Sequence, residues 1–68
     1  MTIKTQYIKL ALADNGWTWA EYAARCGISR QNVSTIIRRG TCEPKTAGKL
    51  AAGLGVPVAE IIREEARP

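Results

Sequence analysis

From Ser29 the chain reads S-R-Q-N-V-S-T-I-I-R-R to Arg39, and its polar members are residue types suited to the edges of base pairs. Arginine offers a planar fork that matches guanine, glutamine an amide that matches adenine, and serine and threonine hydroxyls serve either. Wound as a helix of about 3.6 residues per turn, the segment puts Gln31, Ser34, Thr35 and Arg38 on one side at i, i+3, i+4 and i+7. Arg30 projects from the exposed first turn, and Val33, Ile36 and Ile37 fall on the opposite side. A solvent-facing helix normally carries glutamate as well as lysine. This one carries no acid, and any carboxylate would repel phosphate.

Charge is distributed to match. The net charge of +4 is concentrated in the middle of the 68 residues, where Arg25, Arg30, Arg38, Arg39, Lys45 and Lys49 face a single acid, Glu43. The first 24 residues balance Lys4 and Lys9 with Asp14 and Glu21, and the tail from Glu60 is slightly acidic. A central excess of this kind is the footprint of a nucleic-acid partner. Arg25 and Lys49 read as simple surface charges.

Turn residues cut the chain into five segments, each of which reads as a helix. The first runs from Thr5 to Asn15, with Ile8, Ala11, Leu12 and Asn15 on one face and Gly16 as its left-handed end. The second begins at the cap Thr18, with Glu21 three places on as a capping box requires. It turns Tyr22, Ala23 and Cys26 inward and stops at Gly27. Ser29 caps the third, 29–38, which Gly40 closes. Pro44 places a fourth near Lys45 that buries Leu50, Ala51 and Leu54 before Gly55, and Pro57 opens a fifth that buries Val58, Ile61 and Ile62. Residues 64–68 are expected to fray.

Two helices thus share a turn centred on Gly27. Ala23, four residues before it, must be small because a neighbouring helix comes close. Ile28, Val33 and Ile36 meet Ala23 in one miniature core only if the helices cross steeply.

Here the chain resembles the helix-turn-helix of the Cro and phage-repressor (XRE) family. The matching run is W-T-W-A-E-Y-A-A-R-C-G-I-S-R-Q-N-V-S-T-I-I-R-R-G, Trp17 to Gly40, and the likeness continues in P-K-T-A-G-K-L-A-A-G-L-G-V, Pro44 to Val56. The resemblance implies an all-α, compact five-helix, lambda-repressor-like fold in a single domain, 1–68, with the helix-turn-helix core at 18–39. It implies base contacts from Arg30, Gln31 and Thr35, to which the polar face adds Ser34 and Arg38. Arg39, Thr41, Lys45 and Thr46 surround the start of the fourth helix, where a helix dipole, hydroxyls and cations suit a phosphate, and Ser29 is placed in the same set. Trp19 stands where many members place a phosphate-touching glutamine. It is assigned here either to the backbone contact or to packing, while Trp17 plugs the gap between the first two helices and Tyr22 is a core residue whose hydroxyl reaches solvent.

Double-stranded DNA is therefore the expected partner, bound by a homodimer that joins through Val56, Pro57, Val58 and Ile62, because one small reading unit covers too few base pairs alone. The expected role is a Cro-like transcriptional repressor. An excisionase or plasmid-maintenance factor would share these features. An enzyme is disfavoured by the absence of histidine, of paired carboxylates in an apolar setting and of a phosphate-cradling glycine loop. A protein-interaction module that kept the fold but lost DNA is the other rival, opposed by the acid-free face. No metal, cofactor or small-molecule ligand is expected: Cys26 and Cys42 cannot complete a tetrahedral zinc shell without histidine. Cys26 reads as core and Cys42 as loop. No apolar run spans a bilayer and Met1–Lys9 lacks a secretory pattern, which points to the cytoplasm and reduced thiols.

Overall fold

The computed structural model describes residues 1–63, and the fraying expected of 64–68 falls outside them. Four α-helices follow in order: α1 (Thr5–Asn15), α2 (Trp19–Cys26), α3 (Arg30–Arg39) and α4 (Pro44–Leu54), then a single 3-10 turn at Val58–Glu60. Among the described residues no helix is long and apolar enough to cross a membrane.

Local sequence accounts for the helix ends. The Thr18 hydroxyl accepts from the Glu21 N–H at 3.1 Å while the Glu21 carboxylate accepts from the Thr18 N–H at 2.7 Å, a complete capping box. The end of α2 closes in a Schellman motif. The N–H of Ile28 donates to the Ala23 carbonyl at 3.2 Å and that of Gly27 to Ala24 at 3.2 Å. Gly27 sits at φ 78°, where a Cβ would clash with the backbone. The same closure recurs after α1, where Trp17 donates to Leu12, and after α4, where Val56 donates to Ala51. In all three an apolar residue follows the glycine and folds back onto the core: Trp17, Ile28 and Val56 are each half-buried against it.

The core gathers Ile8 and Leu12 of α1, Tyr22, Ala23 and Cys26 of α2, Val33 of α3, and Ala47, Leu50 and Ala51 of α4, with Ile3 and Ile61 from the chain's two end segments. Within α2, Ala23 is 3% exposed, which is the close packing its small size predicted. Ile36, Ile37 and Leu54 are half-buried against this cluster and not fully enclosed. Asn15, expected on the inner face of α1, is exposed, and its side-chain amide donates back to the Ala11 carbonyl at 2.8 Å.

Two further expectations are corrected. The fifth helix is only the 3-10 turn: Val58 is 39% exposed, Ile61 is buried, and Ile62 pairs with Ile3 in an antiparallel bridge. The cause lies at the start of the chain. The Lys4 N–H donates to the Ile61 carbonyl at 2.7 Å and the Arg63 N–H to Thr2 at 2.9 Å, so backbone groups that a helix would use are committed to a strand-like pairing. The β-branched Ile62 suits this pairing, whereas Ile61 closes the 3-10 turn at φ −107°, ψ −2°. The same N-terminal strap binds the segment after α3, through Ile3 N–H to the Gly40 carbonyl at 2.9 Å and a Thr2–Thr41 bridge. Secondly, the Tyr22 hydroxyl does not reach solvent. The residue is fully buried and its hydroxyl donates to the Leu50 carbonyl at 2.6 Å.

Candidate nucleic-acid interface

Ser29 sets the start of α3. Its hydroxyl accepts from the Asn32 N–H at 3.1 Å, so the side chain assigned to phosphate serves first as a helix cap. Val33, fully buried, anchors the inner side of the helix. The outer side follows from that anchor: Arg30, Gln31, Ser34, Arg38 and Arg39 are exposed and Thr35 is half-buried. No acidic residue lies in α3. Arg38 and Arg39 occupy its last turn, where cations also complement the negative end of the helix dipole.

Two grooves run along the flanks of α3. One, of about 290 Å³, lies toward α4 and takes Asn32, Thr35 and Arg39 from the helix, Thr41 and Glu43 from the loop, and Thr46 from α4. The other, of about 410 Å³, lies toward α1 and α2 and is lined by Lys9, Trp19, Ser34, Ile37 and Arg38. Gln31 and Arg30 line neither and form an exposed crest in the first turn of α3.

The predicted residues are therefore sorted by geometry. Arg30 and Gln31 occupy the crest. Ser34 and Arg38, read from the sequence with the base-facing group, share a flank with Trp19. Thr35 shares the opposite flank with Arg39, Thr41 and Thr46, three of the expected phosphate contacts. Lys45 is exposed in the first turn of α4 but does not line that groove. Trp19 packs: half-buried, it meets Tyr22 edge-on with ring centroids 6.3 Å apart, and it walls the α1 groove.

Asn32 and Lys9 were missed. Asn32 was legible, since it precedes Thr35 and Arg39 by three and seven residues on one helical stripe. Lys9 was not, because nothing in the spacing of α1 tells which of its exposed residues comes beside α3. Arg25 is more than a surface charge. Its guanidinium lies 4.1 Å from the centre of the Trp17 ring, and its Nε donates to the Gly53 carbonyl at 3.1 Å near the end of α4.

Of the two thiols, Cys26 lies in the core and Cys42 lines the α4-side groove. Burial pushes the Cys26 thiol up from its ordinary range, the opposite of what a reactive thiolate needs. Cys42, half-buried in the loop, is likewise shifted up by burial. Among the described residues no group of three or more His, Cys, Asp or Glu side chains is placed to hold a metal.

Residues 8–61 of the chain match a family model described as helix-turn-helix. No curated protein and no solved structure matches the chain.

Proposed function

This chain belongs to the helix-turn-helix family of Cro- and repressor-type DNA-binding domains, and from that premise we propose that it represses transcription by reading the major groove with α3. DNA binding in transcriptional regulation is the family's general property. The observation that carries the finer reading is the acid-free, exposed first turn of α3 with Arg30 and Gln31, together with two grooves along the helix that each contain arginine. A major groove about 12 Å wide admits one helix, with a sugar-phosphate backbone on either side. The crest would then meet base edges while the flanks meet the strands. Arg30 and Gln31 are the principal base readers, with Thr35, Ser34 and Arg38 reaching bases or phosphates from the flanks. Arg39, Thr41, Lys45 and Thr46 hold the backbone beside α4, and the amide end of α2 beside Trp19 does so on the other side.

The protein acts in this reading by occupying its site, as one domain, without catalysis. Two copies bind together, joined through the segment that holds Val56, Pro57, Val58 and Ile62. Val58 supports that choice, since it is one of the few large apolar side chains left exposed. Binding by a pair doubles the length of duplex read.

Selection from a pool of random duplexes, followed by sequencing, tests the proposal. The expected result is an enriched two-fold symmetric site with half-sites separated by about one helical turn, roughly 10 base pairs. Enrichment of a single unsymmetric half-site removes the dimer. Absence of any enrichment, with binding that ignores sequence, removes the repressor reading.

A further inference from the structure

The groove on the α1 side of α3 contains a residue that the helix-turn-helix alone would not supply. Lys9 comes from α1 and faces the same space as Arg38 and Ser34 of α3, with the Trp19 indole and Ile37 completing the wall. Lys9 and Arg38 are both exposed at their residues, while Trp19 and Ile37 are half-buried against the core. The site is thus two exposed cations and a hydroxyl beside a half-buried apolar wall. No carboxylate lines it. The opposite groove, by contrast, is lined by Glu43 as well as Arg39.

Resting on the DNA-binding reading above, we infer that Lys9, with Arg38 and Ser34, grips the phosphates of one DNA strand while Arg39, Thr41 and Thr46 grip the other. The occupant is the sugar-phosphate backbone of a duplex. Three observations point to it. Charge is complementary, with two cations and no acid in the α1 groove. The two grooves lie on opposite flanks of a single helix, as the two strands lie on opposite sides of a helix seated in the major groove. The wall of Trp19 and Ile37 offers apolar surface of the kind that covers a deoxyribose, next to donors for its phosphate. The side on which Trp19 was the one phosphate contact assigned from the sequence is therefore the more basic of the two.

Lys9→Ala, Lys9→Arg and Thr46→Val are compared with the unaltered protein on a duplex from the random pool. Affinity is measured across salt, and thermal melting shows that each variant is folded. Lys9→Ala is expected to flatten the dependence of log K on log salt by about one phosphate, a slope change of about 0.9. Its deficit against the unaltered protein should shrink about three- to fourfold between about 50 and 200 mM salt. Lys9→Arg should restore the slope, and base preference should not change in either.

Strand assignment is read by making selected phosphates of one strand neutral as methylphosphonates. Neutral linkages that cost the unaltered protein affinity but cost Lys9→Ala nothing further should all lie on one strand, and those coupled to Thr46→Val on the other. Unaltered affinity and slope in Lys9→Ala, or coupling of both variants to the same strand, overturns this inference while leaving the DNA reading intact. Absence of duplex binding by the unaltered protein overturns both.

Discussion

The hydroxyl of Tyr22, on α2, donates to the backbone carbonyl of Leu50, on α4, across 2.6 Å in the centre of the core. That bond fixes the first helix of the helix-turn-helix against α4, the helix that borders the groove of Thr35 and Arg39. It also satisfies the only polar atom of a fully buried side chain. Tyr22→Phe keeps the ring and removes the bond. It should lower stability by about 1 kcal/mol, the net worth of a buried neutral hydrogen bond, read as a lower denaturant midpoint with an unchanged slope.

Gly53 marks where α2 and α4 come closest. A Cβ there would stand 2.5 Å from the Cys26 sulfur and 3.1 Å from the Tyr22 ring. Replacing glycine by alanine inside a helix ordinarily gains up to about 1 kcal/mol, but overpacking costs about 1–3 kcal/mol. Gly53→Ala should therefore destabilise, and adding Cys26→Ala should recover part of the loss. Gly48, five residues earlier on the same helix, has open space where its Cβ would lie. Gly48→Ala should stabilise by about 0.5–1 kcal/mol. Equal signs for the two glycines in chemical denaturation would contradict the close approach.

Stability should decline in alkaline solution. Burial is the main cause that raises both the Tyr22 phenol, from 10.0, and the Cys26 thiol, from 9.0. Both groups are neutral when protonated, so below about pH 9 the folded and unfolded chains hold these protons alike. Above the unfolded values, the unfolded chain releases protons that the folded chain retains, and the balance moves toward unfolding. Melting temperature should change little from these groups between about pH 7 and 8.5 and fall progressively above about pH 9. Tyr22→Phe should lessen the fall above about pH 10.

The N-terminal strap is part of the core, since Ile3 is 3% exposed. Ile3→Ala should cost about 2–4 kcal/mol, as for other buried aliphatic truncations. Because the strap pairs with both Gly40–Cys42 and Ile61–Arg63, hydrogen exchange should quicken in both segments in this variant. Loss of protection confined to residues 1–4 would show that the strap holds neither.

Recognition should divide between crest and flank. Arg30→Ala or Gln31→Ala should weaken binding to a selected site by about 1–3 kcal/mol and relax preference at one base position. Lys45→Ala should weaken selected and unrelated duplexes alike and flatten the salt dependence. Unchanged affinity of Arg30→Ala for the selected site would remove that residue from the reading face.

What was legible from sequence alone was local. Thr18 with Glu21, Ser29 before α3, and the Gly16-Trp17, Gly27-Ile28 and Gly55-Val56 pairs each act on backbone groups within a few residues, so helix starts and stops follow from the string. The outward face of α3 follows too, because burying Val33 dictates by helical period which residues point away.

Tertiary structure decided whatever depends on a partner far along the chain. Ile61 and Ile62 read as helical because their pattern fits a helix, yet strand pairing with Thr2–Lys4 claimed the Ile61 carbonyl and the Arg63 N–H on either side of Ile62. The Tyr22 hydroxyl found Leu50 instead of water. Lys9 came beside Arg38 only when Ile8 and Leu12 carried α1 into the core. Periodicity determines which side of a helix is hidden, whereas the identity of the neighbour depends on how separate helices pack, and no local spacing encodes that.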